Sequence, residues 1–342
     1  MSDSIDGLSG GKKKLIAAKA QNLQSLCVFA ASRNYSKMSS EIEKAYKYCE
    51  SVTKNHAKSF YFAAKFLPKS KQKPIYALYA LCRHVDDEVD EAEVRSDAEA
   101  IAAVNHWKAK LDKIYQGKRE KEKGKSKIKD QSPKTKDQNL VLLAWSDLLE
   151  NYKIPQNLPL ELMTGVLQDT HTKRYETFEE LYVYCYRVAS TVGLMSSEIF
   201  GYSGEKTLEY AEALGIAMQL TNILRDVKED ATMDRIYLPR EDLRKFNVTE
   251  SQILAGEMNE NFVELMNFQI KRARDYYLKA EQGIALLEKD TRFTVLLAAR
   301  LYSKILNQIE KQNYNVFSKR AHINFRQKVF SIPNIWIQTR GL

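Results

Sequence analysis

The sequence predicts an all-α protein, and three observations carry that expectation. Along most of the chain apolar residues recur at steps of three and four, the spacing that puts them on one face of a helix. Only 13 Gly and 7 Pro punctuate 342 residues, too few for the frequent turns of a strand-rich chain. No alternating apolar–polar run of useful length is present.

Taken in order, residues 1–40 stand apart. Lys12 to Lys37 is basic, contains Ala, Ser and Leu, and has no acidic residue, a composition shared by organellar presequences, interfacial helices and loosely ordered tails. From Glu41 onward the pattern is helical almost throughout. The strongest periodic runs are Ile75–Val89, Leu140–Leu149, Leu181–Phe200, Leu208–Val227, Phe262–Leu287 and Phe293–Ile309. Breaks are expected at Pro68 and Pro74, at a charged loop Gly117–Lys136, at Pro155 and Pro159, between Gly201 and Gly204, and at Pro239. One helical domain over residues 41–342 follows.

Composition narrows the function. Hydrophobic residues make up 44% of the chain, enough for a substantial core. No run approaches the roughly 18 apolar residues of a membrane span. Of the four cysteines, Cys27, Cys49, Cys82 and Cys185, none forms a C-x-x-C pair, and Cys82 and Cys185 lie in apolar helical runs, which reads as reduced core residues in a cytoplasmic or otherwise reducing setting. The net charge of +9 owes much to the Gly117–Lys136 segment, so it speaks for a solvated loop or a pull toward anionic membranes or diphosphates, and not for nucleic acid. Phosphate-binding glycine loops, nucleophile elbows, H-E-x-x-H and paired Glu-x-x-His motifs are absent from the sequence.

Two segments carry chemistry: Ile75–Glu91 (IYALYALCRHVDDEVDE) and Leu214–Asp230 (LGIAMQLTNILRDVKED). A helix turns by about 100° per residue, so Tyr79, Arg83, Asp86 and Asp90 share a face, as do Gln219, Asn222, Asp226 and Asp230. An acidic run alone is most often a solvated helix end. Here Leu78, Cys82, Val85 and Val89 continue through the first run, and Ile216, Leu220, Ile223, Leu224 and Val227 surround the second, where unpaired charge is costly. Like charges at i, i+4 repel unless a cation sits between them. Mg²⁺ supplies one and commonly bridges carboxylates to substrate phosphates. Arg83, Arg225 and Arg235 are suited to bidentate neutralisation of the leaving oxygens. The reaction type this pattern suggests is ionisation of a diphosphate ester.

These residues resemble the squalene/phytoene synthase family. The likeness runs from about Glu41 to the C-terminus and is carried by HAKSFYFAAKFLP (His56–Pro68), YALCRHVDDEVDE (Tyr79–Glu91), YVYCYRVASTVGLM (Tyr182–Met195), QLTNILRDVKEDATMDRIYLP (Gln219–Pro239) and YNVFSKRAHI (Tyr314–Ile323). The resemblance implies an isoprenoid-synthase fold around a deep cavity, and head-to-head condensation of two prenyl diphosphates through a cyclopropyl diphosphate. It implies magnesium (or Mn²⁺) ligands at Asp86, Asp90, Asn222, Asp226 and Asp230. Diphosphate contacts are implied at Ser59, Arg83, Gln219, Arg235 and Tyr237, with aromatics near the reacting carbons at Tyr79, Phe62, Tyr184 and Tyr302. Val188, Ala189, Val192 and Gly193 look like hydrocarbon-channel lining. Tyr182 and Tyr186 read as core packing.

Departures are few. Many relatives have Gly at Ser190, which would narrow or redirect the channel here, and Lys319 and Arg320 compete for one basic position. Within the resemblance, C20 use (phytoene synthase) is the leading expectation, from YCYRVASTVGLM and RIYLPREDL. The alternative is a C15 enzyme making presqualene diphosphate, dehydrosqualene or squalene, the last with NADPH. Asp86-Asp87-x-x-Asp90 also fits a head-to-tail prenyltransferase or terpene cyclase, under which Asp87 would be a ligand although it lies about 100° off the Asp86/Asp90 face. A non-catalytic helical assembly factor is a fourth reading, and it predicts no Mg²⁺-dependent diphosphate release. Peripheral membrane association and organellar import stay open.

Overall fold

Periodicity becomes geometry first in α1 (residues 38–56), α2 (Lys58–Ala64) and α3 (Lys69–Asp90). The computed structural model describes residues 38–90, 96–122 and 136–342, so residues 1–37, with Cys27, lie outside it. Helix α3 begins directly after Pro68 and carries the expected break residue Pro74 inside it. A proline there removes one backbone donor; the Tyr152 hydroxyl approaches the carbonyl of Ser70, four residues earlier, at 3.5 Å. Leu78, Leu81 and Val85 on α3 are fully buried, so the apolar stripe does run on beneath the acidic residues.

The expected charged loop starts later than its composition indicates. Helix α4 (Asp97–Glu122) runs through Gly117, because the long basic side chains beyond it find partners on α5 (Lys136–Asn151) and the turn that follows. Lys118 donates to the Leu149 and Tyr152 carbonyls, Lys121 pairs with Glu150 at 2.7 Å, and Arg119 donates to Gln156 at 2.7 Å. Residues 123–135 lie outside the description. Pro159 does not break α6 (Asn157–Gln168); it occupies the first turn, where backbone N–H groups have no helical partner.

The run Leu181–Phe200 is one rod with a fault in it: α7 (Phe178–Cys185), a π turn (Tyr186–Ser190) and α8 (Thr191–Phe200). Helix α9 (Lys206–Arg225) packs against this rod, α13 (Glu260–Glu281) and α14 (Lys289–Lys311). The close approach needs Gly215: a Cβ there would stand 2.4 Å from Ser190 Cα. At Asp226 (φ −104°) α9 gives way to α10 (Val227–Thr232), yet Asp226 N–H still donates to Asn222 and Asp230 N–H to Asp226, both at 2.9 Å. The second aspartate stripe is therefore kinked but unbroken. Short helices α11 (Arg240–Lys245) and α12 (Glu250–Ala255) precede α13, and α15 (Phe325–Arg340), with an Asn324/Gln327 capping box, lies against α14. No strand occurs among the described residues.

Two core clusters, one around α3, α4 and α5 and one around α9, α13 and the α7 segment, flank the middle of the fold. Lys71 ties α3 to the start of α14 through Glu288 (2.6 Å) and Asp290 (2.8 Å), and also donates to the Phe200 carbonyl (2.9 Å) at the end of α8. Cys49, Cys82 and Cys185 are free thiols. No described helix is long and apolar enough to cross a membrane.

Candidate active site

A cavity of about 440 Å³ opens between α2, α3, α8, α9 and α14. Tyr210 and Arg225, both on α9, line it, so it spans about four helical turns, on the order of 22 Å. Leu67, Phe200, Gly283 and Leu287 line its far end, while Gln219, Asn222, Arg225 and Arg320 line the other. The walls between are largely apolar. Val188, Ala189, Val192 and Gly193 contribute to them. The π turn inserts one residue into the rod and so re-aims these side chains relative to α7. Tyr79 and Phe60 stack on the cavity wall with ring centroids 5.6 Å apart.

The polar end concentrates charge. Asp226 receives the Arg225 guanidinium at 2.5 and 2.7 Å and that of Arg320 at 2.7 and 2.9 Å. Burial works to raise its pKa, but the two guanidinium groups hold the carboxyl below its usual range. One turn on, Asp230 has the opposite fate. Burial, then the neighbouring charge of Asp226, push it up to about 8 despite Arg235. Asn222 donates from its amide nitrogen to Gln219 at 3.2 Å, while its Oδ1 is buried without a hydrogen-bond partner. The unpartnered Asn222 oxygen and, two turns on, the Asp230 carboxyl held neutral by burial are oxygen donors that favour added positive charge, and hard divalent cations take such ligands. Among the described residues no three His, Cys, Asp or Glu side chains converge into a ready-made metal site; the Asp90 side chain lies outside them.

On α3, Arg83 pairs with Asp86 at 3.3 Å and more tightly with Asp87. Both aspartates are within a turn of Arg83, so the separation of faces expected from spacing does not isolate Asp87 from the arginine. Glu88 is spoken for: Trp107 and Gln138 donate to it at 3.1 and 2.9 Å. His84 stacks between Tyr48 and Trp107 and belongs to the packing of α1, α3 and α4.

Sequence reasoning missed Asp169, the residue after α6. Its two carboxylate oxygens accept the hydroxyls of Tyr184 and Tyr237, each at 2.9 Å, and its carbonyl accepts from Arg235 at 3.3 Å. Tyr175 stacks on Tyr237 at 5.9 Å and contacts Tyr184 at 5.5 Å. Burial, with the Asp169 charge, raises both hydroxyl pKa values far above the ordinary tyrosine range, so both stay protonated donors. An acidic residue between two helices carries no periodic signal; only its buried tyrosine partners mark it.

The structure brings most expected residues together and relocates some. Ser59, Tyr79, Gln219, Asn222, Arg225 and Tyr302 line the cavity. Phe62 does not: two residues turn a helix by about 200°, so Phe60 faces the cavity while Phe62 packs edge-on against Phe66 and Phe325, at 5.8 and 6.1 Å. Tyr184, Tyr237 and Arg235 lie outside the cavity surface, in the Asp169 group; Asp230, Arg235 and Tyr237 border a small void of their own. Ser190 is buried outside the cavity lining and donates to the Glu212 carbonyl at 2.8 Å; it fills a helix crossing and does not narrow the channel. Of the two competing basic residues, Arg320 lines the cavity and holds Asp226, while Lys319 is exposed.

Comparison with known proteins agrees with this architecture. A sequence model of squalene/phytoene synthases matches residues 53–327. The chain is 38% identical over 313 residues to a 15-cis-phytoene synthase of Synechocystis, covering 88% of this chain and 87% of that one. It is 34% identical over 298 residues to the chloroplastic phytoene synthase 2 of Solanum lycopersicum, covering 85% and 90%. A ligand-bound dehydrosqualene synthase superposes with a TM-score of 0.77 at 31% identity, covering 89% of this chain and 99% of that one. A squalene synthase from Alicyclobacillus acidocaldarius, at 24% identity and a TM-score of 0.68 over 80% of this chain and 96% of that one, shares the fold.

Proposed function

The chain belongs to the squalene/phytoene synthase family, and we propose that within it this protein is a phytoene synthase, joining two C20 geranylgeranyl diphosphates head to head. The observation that carries the reading is the cavity itself: a long apolar bore that ends at Gln219, Asn222, Arg225 and Arg320 beside Asp226. Hydrocarbon and diphosphate each find their own end. The relatives named phytoene synthase support the C20 choice.

In this reading Asn222, Asp226 and Asp230 on one side and Asp86 and Asp90 on the other would hold divalent metal. When bound, Mg²⁺ or Mn²⁺ supplies Lewis-acid stabilisation and a template for the diphosphate. Arg225, Arg320 and Arg83 offset the negative charge of the leaving group, and Ser59 and Gln219 at the cavity wall orient it. The C1–O bond of the donor breaks with its electron pair leaving on diphosphate. The double bond of the acceptor attacks the allylic cation, and loss of a proton closes a cyclopropane ring. The second diphosphate then departs, the ring opens with rearrangement, and a second proton is lost to give the hydrocarbon. The π faces of Tyr79 and Phe60 stabilise the cations, and the apolar walls keep out the water that would quench them. Asp169, through Tyr184, Tyr237 and Arg235, fixes the shell around Asp230. An oily product needs a lipid acceptor, so peripheral membrane association is part of this reading.

Purified protein incubated with Mg²⁺ and either C15 or C20 diphosphate, with and without NADPH, tests it. Phytoene from C20 without NADPH is expected. Turnover of C15 alone would transfer the protein to the dehydrosqualene or squalene branch, and absence of diphosphate release with either substrate would make it a non-catalytic relative.

A further inference from the structure

Helix α15 is amphipathic in the wrong sense for a water-soluble surface. Its buried side consists of Lys328, Ser331 and Ile335. Facing outward are Phe325, Phe330, Trp336 and Ile337, exposed by 69%, 80%, 47% and 66%. At about 100° per residue these residues, with Val329 and Pro333, fall within one arc of roughly 140°, and Arg326 and Arg340 lie inside the same arc. Arg340 stacks over the Trp336 ring at 3.6 Å. A surface helix ordinarily turns its apolar stripe inward, and an exposed apolar patch of this kind marks an interaction site.

We propose that the outer face of α15 is a docking surface for an anionic lipid bilayer. Charge selects that occupant. From Lys311 to Leu342 the chain has Lys311, Lys319, Arg320, Arg326, Lys328 and Arg340 and not one Asp or Glu. Bulky apolar and aromatic residues interleaved with arginine are the composition of a helix that lies in the headgroup layer, and each nearby cation adds attraction to anionic lipid. A second copy of this chain would have to bury Arg326 and Arg340 without a carboxylate from the same segment to meet them.

The location fits a route for hydrocarbon. Ile335 packs in the cluster that contains Ala63, Leu297 and Leu301, and Ala63 and Leu301 line the cavity. Phe325 touches Phe62 on α2, whose opposite face (Ser59, Phe60, Ala63) is cavity wall. One layer of side chains thus separates the bore from the proposed bilayer contact. The docking surface rests on α15 alone; only its use as an exit rests on the proposed reaction.

The test uses the full chain and vesicles of phosphatidylcholine with and without about 30% phosphatidylglycerol. Among three tryptophans, Trp107 and Trp145 are fully buried, so quenching by brominated acyl chains reports Trp336. Expected are binding to the anionic vesicles at low salt, quenching of Trp336 fluorescence, and binding weakened by at least about tenfold in F330E/I337E. R326Q/R340Q should lose the preference for anionic over neutral vesicles. Both variants should keep the wild-type Tm and turn over detergent-dispersed substrate at the wild-type rate, since none of the four side chains reaches the cavity. Vesicle binding without Trp336 quenching, as through the basic N-terminal segment, would overturn the proposal. So would binding indifferent to F330E/I337E, or a dimer that F330E/I337E dissolves while neither protein binds vesicles. None of these outcomes depends on which diphosphate is condensed.

Discussion

Replacing Asp230 by Asn separates the electrostatic cost of the polar end from its chemistry. Without metal, burial and Asp226 raise this carboxyl from an ordinary 3.8 to about 8. A group whose pKa is higher folded than unfolded binds its proton more tightly in the native state. Its stabilising contribution is therefore full below pH 4 and is lost as pH climbs toward 8. Four pH units at about 1.4 kcal/mol each set an upper bound on the order of 5 kcal/mol. Relaxation and water at the cavity mouth reduce this, so we expect about 2–3 kcal/mol, roughly 5 °C of Tm in a chain of this size. The assay is thermal unfolding of wild type and D230N in EDTA from pH 4 to 9, read as the difference between the two proteins so that other titrating groups cancel. The curves should coincide near pH 4 and diverge progressively as the pH climbs toward 8, with D230N the more stable at pH 8.5. Excess Mg²⁺ at pH 8.5 should raise the wild-type Tm and leave D230N nearly unmoved, because the cation then takes the place of the missing proton. A difference that stays constant across the pH range would refute this account of Asp230.

Further expectations concern the same end of the molecule and its supports. Asp86→Asn should lower kcat/KM by about 100-fold or more with Mg²⁺, whereas Asp87→Asn, which keeps an acceptor for Arg83, should stay within about tenfold; equal losses would restore Asp87 as a ligand. Asp169→Asn removes a negative neighbour of Asp230, so the fall of the metal-free Tm with pH should level off below pH 8, with kcat reduced about 10- to 100-fold and substrate KM little changed. Gly215→Ala places a methyl 2.4 Å from Ser190 Cα and should destabilise by about 1–3 kcal/mol, measured by urea unfolding.

Much of this architecture is legible before any coordinates. The stripe Leu78, Val85, Val89 beneath Asp86 identified α3 as a packed helix, and Gln219, Asn222 and Asp226 fell on one side of α9 by spacing alone. What escaped depends on contacts that a linear pattern does not encode. Phe60 and Phe62 are equally aromatic and two residues apart; only the packing of α2 on α14 decides which one meets the cavity. Asp169 has no periodic neighbour, and its role comes from tyrosines 15 and 68 residues away. Residues Gly117–Glu122 look like loop by composition but are helix because lysine and arginine stems reach carbonyl and carboxylate partners across α5. The apolar content of α15 is plain in the sequence, yet periodicity cannot say that its oily side would be the outer one.

The π turn at Tyr186–Ser190 has a consequence for how this enzyme can change. It works as a phase shifter in a single rod: upstream of it Tyr184 looks toward the Asp169 group, and downstream Val192 and Gly193 look into the bore. Straightening the turn into an ordinary helix with every residue kept would swing the downstream half by about 100°, trading small cavity-wall residues for whatever now lies on the adjacent flank.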